Sequence, residues 1–181
     1  MTRSKPWPRW RPLAAGALRF GVVGFPGRLG RANAQEAQVL IGGSCHCGNI
    51  SFELQWEPEP AEIPARACTC SFCSKHGGMW TSCPTGKLDV SIADPGKVSR
   101  YVFGTKTAQF HVCTVCGVVP VVTSEIHGNT YAVVSVNAFQ GIDRSRVKLA
   151  STTFDAEDEQ SRLDRRKRNW IPSVHFSNVD A

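Results

Sequence analysis

Seven of the eight cysteines are grouped in three short motifs, and they are the strongest candidates for chemistry in the sequence. In chain order the motifs are C-x-C, C-x-C-x-x-C and C-x-x-C, formed by Cys45 and Cys47, by Cys68, Cys70 and Cys73, and by Cys113 and Cys116. Thiolates bind zinc tetrahedrally, and separated pairs at this spacing hold one ion between two turns. The sequence therefore predicts zinc binding.

Other interpretations of the cysteines are weaker. A disulfide framework suits short secreted chains, and the two partners of a C-x-C pair are poorly placed to bridge each other. Scattered core cysteines are a second alternative, but chance rarely places seven of eight cysteines at metal-ligand spacing. A redox-active thiol cluster at residues 68–73 is a third, and it requires those thiols to be metal-free and oxidised.

The seven clustered ligands cannot fill two four-cysteine zinc sites, so one of two predicted sites is incomplete. The first and last motifs are each followed by a glycine, Gly48 or Gly117, which permits a tight turn around the metal. We therefore expect a closed structural site formed by Cys45, Cys47, Cys113 and Cys116. The central motif, Cys68, Cys70 and Cys73, is left with an open fourth position, which is how a catalytic zinc is arranged.

The second site has an alternative form in which it is closed. One of four further side chains would then supply the fourth ligand and make both ions structural: Cys83, His46, His76 or His111. Cys83 alone is more typical of a small core residue.

The net charge of +6 is confined to the start of the chain. Residues 1–40 carry seven Lys or Arg against one Glu, whereas residues 41–181 carry fourteen basic and fourteen acidic residues. The positive net charge therefore gives no information on what residues 41–181 bind, and no nucleic-acid partner is expected for this part of the chain. No apolar run reaches the roughly 18 residues that a membrane span needs.

One zinc-binding domain is expected over residues 40–176, followed by a short tail at residues 177–181. Residues 1–39 form a basic extension without helical or strand periodicity, and we expect it to be disordered.

The location of the protein has two interpretations. Ala32-Asn33-Ala34 is similar to a signal-peptidase site, so the protein is exported if residues 1–34 act as a signal segment. Arg19 interrupts the apolar stretch that such a segment needs, and a thiolate-rich metalloprotein suits a reducing compartment. A cytoplasmic location is therefore the expectation.

Short alternating segments separated by Gly and Pro turns predict a mainly β fold. The clearest strand is Ile50–Trp56, and residues 130–136 are predicted as a buried strand. Residues 57–64 and most of residues 137–150 are predicted as loops.

A hairpin around residues 104–106 is predicted to deliver Cys113 to the metal at the end of its second strand. Residues 118–122 are strand-like, and Pro120 favours a sheet edge for them.

Residues 155–168 are predicted as the one helix, with acidic residues at its start and basic residues at its end, in the order that suits the macrodipole. The i, i+4 spacing predicts ion pairs of Asp158 with Arg162 and of Asp164 with Arg168. The basic run at residues 165–168 is predicted as a solvated helix end rather than an anion site. Residues 170–172 are expected to end the helix and pack it on the sheet.

The motifs C-x-C-G, C-x-C-S-x-C and C-x-x-C-G, in this order, resemble the glutathione-dependent formaldehyde-activating enzyme family, which also includes centromere protein V. The resemblance covers about residues 40–176. It includes the Gly-rich segment before Cys45 and a Trp-Ile segment at Trp170.

The resemblance implies a β-tent-like zinc-binding fold of antiparallel sheets with one C-terminal helix. It makes Cys45, Cys47, Cys113 and Cys116 the structural ligands, and Cys68, Cys70 and Cys73 the catalytic ones. It also implies two zinc ions per chain and a carbon–sulfur lyase. The substrates would be a glutathione-type thiol and a small carbonyl, joined as S-hydroxymethylglutathione or a related hemithioacetal.

At an open zinc position an incoming thiol would lose its proton and add to the carbonyl as a thiolate. The rival hypothesis is a non-catalytic zinc module that binds another macromolecule.

Overall fold

A computed structural model describes residues 38–154 and 156–178, so nearly all of the predicted extension at residues 1–39 lies outside the described residues. Within these ranges the chain forms eleven strands and two α-helices. The strands are β1 Val39–Ser44, β2 Ile50–Trp56, β3 Ile63–Cys68, β4 Met79–Thr81, β5 Lys87–Ile92, β6 Val98–Tyr101, β7 Gln109–Cys113, β8 Val121–Ile126, β9 Asn129–Ser135, β10 Val147–Thr152 and β11 Ser173–Asn178. The helices are α1 Cys73–His76 and α2 Glu159–Asn169. The prediction of a mainly β protein with one long C-terminal helix is confirmed.

The strands form two sheets. One has four strands in the order β1-β2-β5-β11, and the other has seven in the order β10-β3-β4-β9-β8-β7-β6. Neighbouring strands are antiparallel except for β3 with β10 and β5 with β11, which are parallel. Parallel pairs need long crossover connections, so they join segments too far apart in the sequence for local patterns to reveal.

The two sheets share one hydrophobic core. Ile50, Phe52 and Leu54 on β2 are buried at alternate positions, as the period of a half-buried strand requires. They pack in one cluster with Val121 of β8 and Val134 of β9, which belong to the other sheet. The predicted strands at residues 50–56 and 130–136 therefore supply both faces of the core.

The predicted hairpin is present, because β6 pairs antiparallel with β7 and β7 ends at Cys113. The edge position predicted from Pro120 is wrong. Pro120 is buried and lies directly before β8, which has β9 and β7 on its two sides. Its carbonyl oxygen accepts a hydrogen bond of 2.8 Å from Ser135 N–H, so the missing N–H of proline leaves the ladder intact.

Helix α2 begins later than predicted, because Asp158 caps it and accepts a 2.7 Å hydrogen bond from Ser161 N–H. The predicted Asp158–Arg162 pair is therefore absent among the described residues. After the helix, Ile171 exchanges two backbone hydrogen bonds with Ala132 of β9, at 2.9 and 3.0 Å. Trp170 and Ile171 are buried, so this segment docks the helix on the seven-stranded sheet.

No helix in residues 38–154 or 156–178 is long and apolar enough to cross a membrane.

Gly43 in β1 provides a test of how tightly this strand is packed against its surroundings. A Cβ atom there would overlap the ring of Phe52 and lie 2.8 Å from the carbonyl oxygen of Ala138. Gly43→Ala is expected to lower the free energy of unfolding by about 1–3 kcal/mol, the usual cost of overpacking. Gly42→Ala is the matched control, because a Cβ there meets nothing within 4 Å. Urea denaturation should separate the two variants, and equal stabilities would contradict this account of the core.

Candidate metal centres and the adjoining cavity

The first cysteine pair lies in the turn between β1 and β2. Gly48 adopts φ +81° there, a conformation that glycine takes without strain. The turn is closed by a 2.8 Å hydrogen bond from Cys45 N–H to the carbonyl oxygen of Ile50. In return, Ile50 N–H points at Cys45 Sγ from 3.3 Å. The backbone therefore fixes the sulfur and offers it a donor.

The last cysteine pair lies in a turn of the same kind after β7. Gly117 adopts φ +75°, and Cys113 N–H donates to the carbonyl oxygen of Val118 at 3.0 Å. This turn begins at Cys113, the last residue of β7.

The two turns bring four sulfurs together. The Sγ atoms of Cys45 and Cys47 are 3.7 Å apart, and those of Cys47 and Cys113 are 3.4 Å apart. The sulfur of Cys116 is the fourth, and all four sulfurs lie within 4.8 Å of one another. Sulfurs bound tetrahedrally at about 2.3 Å from zinc are separated by roughly 3.8 Å, so the arrangement fits one zinc ion. We name these four residues the four-thiol cluster.

The four-thiol cluster cannot easily hold its negative charges without a cation. Burial, together with hydrogen bonds to the sulfurs of Cys47, Cys113 and Cys116, raises the pKa of the Cys45 thiol to about 12. At Cys116 burial also raises the pKa, but N–H donors of Val118 and Cys47 outweigh it and bring the pKa to about 6. A dication bound at this cluster would stabilise the thiolate form of its ligands.

The central motif forms a second group, which we name the three-thiol cluster: Cys68 at the end of β3, Cys70 in the following loop and Cys73 at the start of α1. Their sulfurs lie within 4.8 Å of one another. Cys73 N–H points at Cys70 Sγ from 3.4 Å, and the indole N–H of Trp80 donates to Cys73 Sγ at 3.3 Å. A hydrogen bond with Cys68 and burial raise the pKa of Cys73. This soft donor set fits zinc.

Aromatic rings hold the loop of the three-thiol cluster. The ring of Phe72 lies 4.4 Å from that of His76, 4.8 Å from that of Tyr101 and 4.9 Å from that of Phe110. Gly78 lets the side chain of Cys73 lie close to the backbone, because a Cβ at position 78 would be only 2.9 Å from Cys73 Sγ. The three sulfurs are therefore positioned by packing on the seven-stranded sheet.

None of the four side chains considered as a fourth ligand joins the three-thiol cluster. Cys83 is buried in the core, with its sulfur 3.3 Å from the hydroxyl of Thr85. His111 is buried against Phe176 and its Nε2 lies 2.9 Å from the Thr123 hydroxyl. His46 is exposed. His76 contacts Phe72, and burial lowers its pKa. Among the residues that the structure describes, no other His, Cys, Asp or Glu completes the group.

A cavity of about 480 Å³ adjoins the three-thiol cluster. Its walls include Trp80, Phe103, Phe110 and Trp170, and all three sulfur-bearing residues of the cluster line it, whereas no member of the four-thiol cluster does. The volume lies in the range of roughly 300–1,000 Å³ typical of small-molecule sites. A small molecule bound in this cavity would therefore contact the three-thiol cluster and not the four-thiol cluster.

Four arginines that no sequence motif places at this site also line the cavity: Arg66 of β3 and Arg162, Arg165 and Arg166 of α2. The prediction that the basic run is a solvated helix end is wrong for Arg165 and Arg166. The Arg166 side chain is buried, and the Arg165 side chain is only 14% exposed. The spacing of Arg162, Arg165 and Arg166 on one helix face was the available signal, but the sequence did not show which surface that face meets.

A mainly β fold with a four-thiol and a three-thiol cluster defines a protein that can hold two metal ions of the zinc type. Residues 40–155 match the model of the family described as glutathione-dependent formaldehyde-activating enzyme. The chain belongs to this family, as the resemblance predicted. A crystal structure of a Rhodobacter sphaeroides protein is 24% identical and covers 60% of this chain and 99% of its own, with a TM-score of 0.44.

The indole N–H of Trp80 offers a test of how the three-thiol cluster is tuned. Trp80→Phe removes the hydrogen bond to Cys73 Sγ, which should destabilise the sulfur lone pairs and weaken metal binding at this cluster by about 10- to 100-fold. In cobalt-substituted protein, the thiolate-to-metal absorption of that cluster should move to longer wavelength.

Trp56→Phe is the control for this change, because Trp56 is also buried but packs in the core shared by the two sheets. Its cobalt spectrum should match that of the parent. If the Trp80→Phe spectrum is also unchanged, the hydrogen bond does not act on the metal-bound sulfur.

Proposed function

We propose that this protein is a zinc-dependent carbon–sulfur lyase that forms or cleaves the adduct of a glutathione-type thiol with a small carbonyl. The substrate pair that the family description names is glutathione and formaldehyde. In this proposal Cys45, Cys47, Cys113 and Cys116 hold a structural zinc ion, and Cys68, Cys70 and Cys73 hold a catalytic one. A reducing compartment such as the cytoplasm would keep these thiols available.

The observation that carries the proposal is the different surroundings of the two clusters. The three-thiol cluster lines a cavity of about 480 Å³, and the four-thiol cluster does not. Zinc sites with three protein ligands and access for a fourth are typical of catalysis, and sites with four protein ligands are typical of structure. A zinc ion at the three-thiol cluster would supply an open coordination position at which a thiol is bound as the thiolate.

The reaction needs no oxidant or reductant. In the cleavage direction the bond between sulfur and the hydroxyl-bearing carbon breaks, the hydroxyl proton leaves oxygen, and sulfur regains a proton, which gives a thiol and a carbonyl. The chain contributes by holding Cys73 with the Trp80 indole and by enclosing the reacting groups between aromatic walls such as Phe103 and Phe110. Removing water from this space strengthens electrostatic interactions with the charged sulfur.

Replacing one cysteine in each cluster should separate the two roles. Cys70→Ser should abolish cleavage of S-hydroxymethylglutathione and reduce zinc from two ions to one in native mass spectrometry, with the fold retained. Cys116→Ser should instead unfold the domain, because a structural zinc site contributes on the order of 10 kcal/mol.

Three results would contradict the proposal. Equal structural damage from both variants would mean that the division of the sulfurs is wrong. Full activity in Cys70→Ser would remove the three-thiol cluster from the reaction. A parent protein that holds two zinc ions but cleaves no adduct would favour the non-catalytic module.

A further inference from the structure

The cavity beside the three-thiol cluster carries an excess of positive charge. Its described lining residues include four arginines and a single carboxylate, that of Glu157. Three thiolates with one zinc ion would together carry one negative charge, so the metal centre would offset only part of the excess. Charged groups are costly to remove from water unless they are paired, and this imbalance therefore indicates a site for an anion.

Two of the arginines are held by the protein itself. The Arg165 guanidinium and the Glu157 carboxylate are joined by hydrogen bonds of 2.7 and 2.9 Å, and the guanidinium also stacks 3.6 Å from the ring centre of Phe154. Arg166 donates to the carbonyl and hydroxyl oxygens of Thr107 and to the hydroxyl of Ser124. Arg166 therefore connects α2 to β8 of the seven-stranded sheet, whereas Arg165 connects it to the segment that precedes the helix.

The other two arginines, Arg66 and Arg162, have no ion pair in the part of the chain that the structure describes. Arg66 makes one long hydrogen bond of 3.4 Å, to the Ser82 hydroxyl. Arg162 donates to the backbone carbonyl oxygen of Phe154 at 2.7 Å, and its Nε is buried without a hydrogen-bond partner. Both guanidinium groups are therefore available to an incoming anion.

The position of Arg66 relates the charge to the chemistry. Arg66 and Cys68 are two residues apart on β3, so their side chains lie on the same face of the strand. A ligand that reaches the three-thiol cluster with a thiol can thus reach the arginine with another of its groups.

We propose that Arg66 and Arg162 are specificity-determining residues that select an acidic thiol, one that carries a carboxylate or a phosphate, and exclude neutral thiols. The assignment rests on the proposed function, because it takes the three-thiol cluster as the place where the thiol enters. Arginine suits this task because its planar group forms paired hydrogen bonds with either anion. Arg162 lies outside residues 40–155, the segment that matches the family model.

The test measures binding to the zinc-loaded full chain by isothermal titration calorimetry. S-methylglutathione keeps both carboxylates but has no free thiol, and its diethyl ester lacks the negative charges. The parent should bind S-methylglutathione at least 10-fold more tightly than the diester. Arg162→Gln and Arg66→Gln should each weaken S-methylglutathione binding by about 10- to 100-fold, the loss expected for hydrogen bonds to a charged group.

The controls separate recognition from folding. Arg168→Gln changes an exposed arginine of the same helix and should leave binding unchanged. Arg162→Lys keeps the charge and should retain more affinity than Arg162→Gln. Binding of the neutral thiol N-acetylcysteamine should change less than 2-fold in Arg66→Gln, and both Gln variants should retain two zinc ions. Phosphopantetheine, a phosphate-bearing thiol, tests the second anion: whichever of phosphopantetheine and S-methylglutathione loses more affinity in the Gln variants identifies the anion that the arginines bind.

Equal affinities of the parent for S-methylglutathione and its diester would overturn the assignment, as would Gln variants that bind like Arg168→Gln. These results do not depend on turnover. If the arginine effects are present but the protein cleaves no adduct, the anion site stands and the lyase proposal fails. If cleavage is normal and the arginine effects are absent, the lyase proposal stands and this inference fails.

Discussion

Thiolates repel each other at the separation found between the sulfurs of Cys47 and Cys113, and a bound dication turns that repulsion into attraction. These sulfurs come from turns 66 residues apart in the sequence. The first turn joins β1 to β2 in the four-stranded sheet, and the second follows β7 in the seven-stranded sheet. A metal ion at the four-thiol cluster would therefore connect the two sheets. The apparent energy of such a site, about 10–16 kcal/mol, is comparable to the whole net stability of a domain.

The three-thiol cluster depends on that frame but is built differently. Its sulfurs follow one another within a short loop, so they need no distant partner to come together. What the fold supplies is the surroundings: the Trp80 indole at 3.3 Å from Cys73 Sγ, the aromatic rings around Phe72, and a cavity open to the same sulfurs. The three-thiol cluster lines the cavity, whereas a metal ion enclosed by the four-thiol cluster would have no position left for a substrate.

The sequence was sufficient to predict the parts of this arrangement that depend on local spacing. Each cysteine motif lies within one short segment, so its sulfurs are brought together by local structure. Gly48 and Gly117 supply the positive φ that the first and last turns require. Both groups of sulfurs could therefore be predicted. The alternation along Ile50–Trp56 likewise identified a core strand. Pro120 misled, because its missing N–H suggested an edge although the residue lies just before β8.

Features that depend on distant contacts could not be predicted. Strand β11 pairs in parallel with β5, across more than 80 residues of sequence. The docking of Ile171 on Ala132 decides which face of α2 meets the cavity, and with it the surroundings of Arg162 and Arg166. A run of basic residues has the same local pattern whether it is solvated or turned inward. The contribution of the α2 arginines to the site could therefore be recognised only from the position of the helix in the structure.

The proposed function requires one metal ion enclosed by four cysteines and a second held by three cysteines and open to a ligand. A crystal structure of the zinc-loaded protein, with anomalous diffraction recorded at the zinc edge, would show whether this arrangement exists. Two zinc peaks are expected: one with four sulfur ligands at about 2.3 Å, and one with the sulfurs of Cys68, Cys70 and Cys73 and a fourth ligand from outside the chain. A single peak, or a second peak whose fourth ligand is a side chain of this protein, would contradict it.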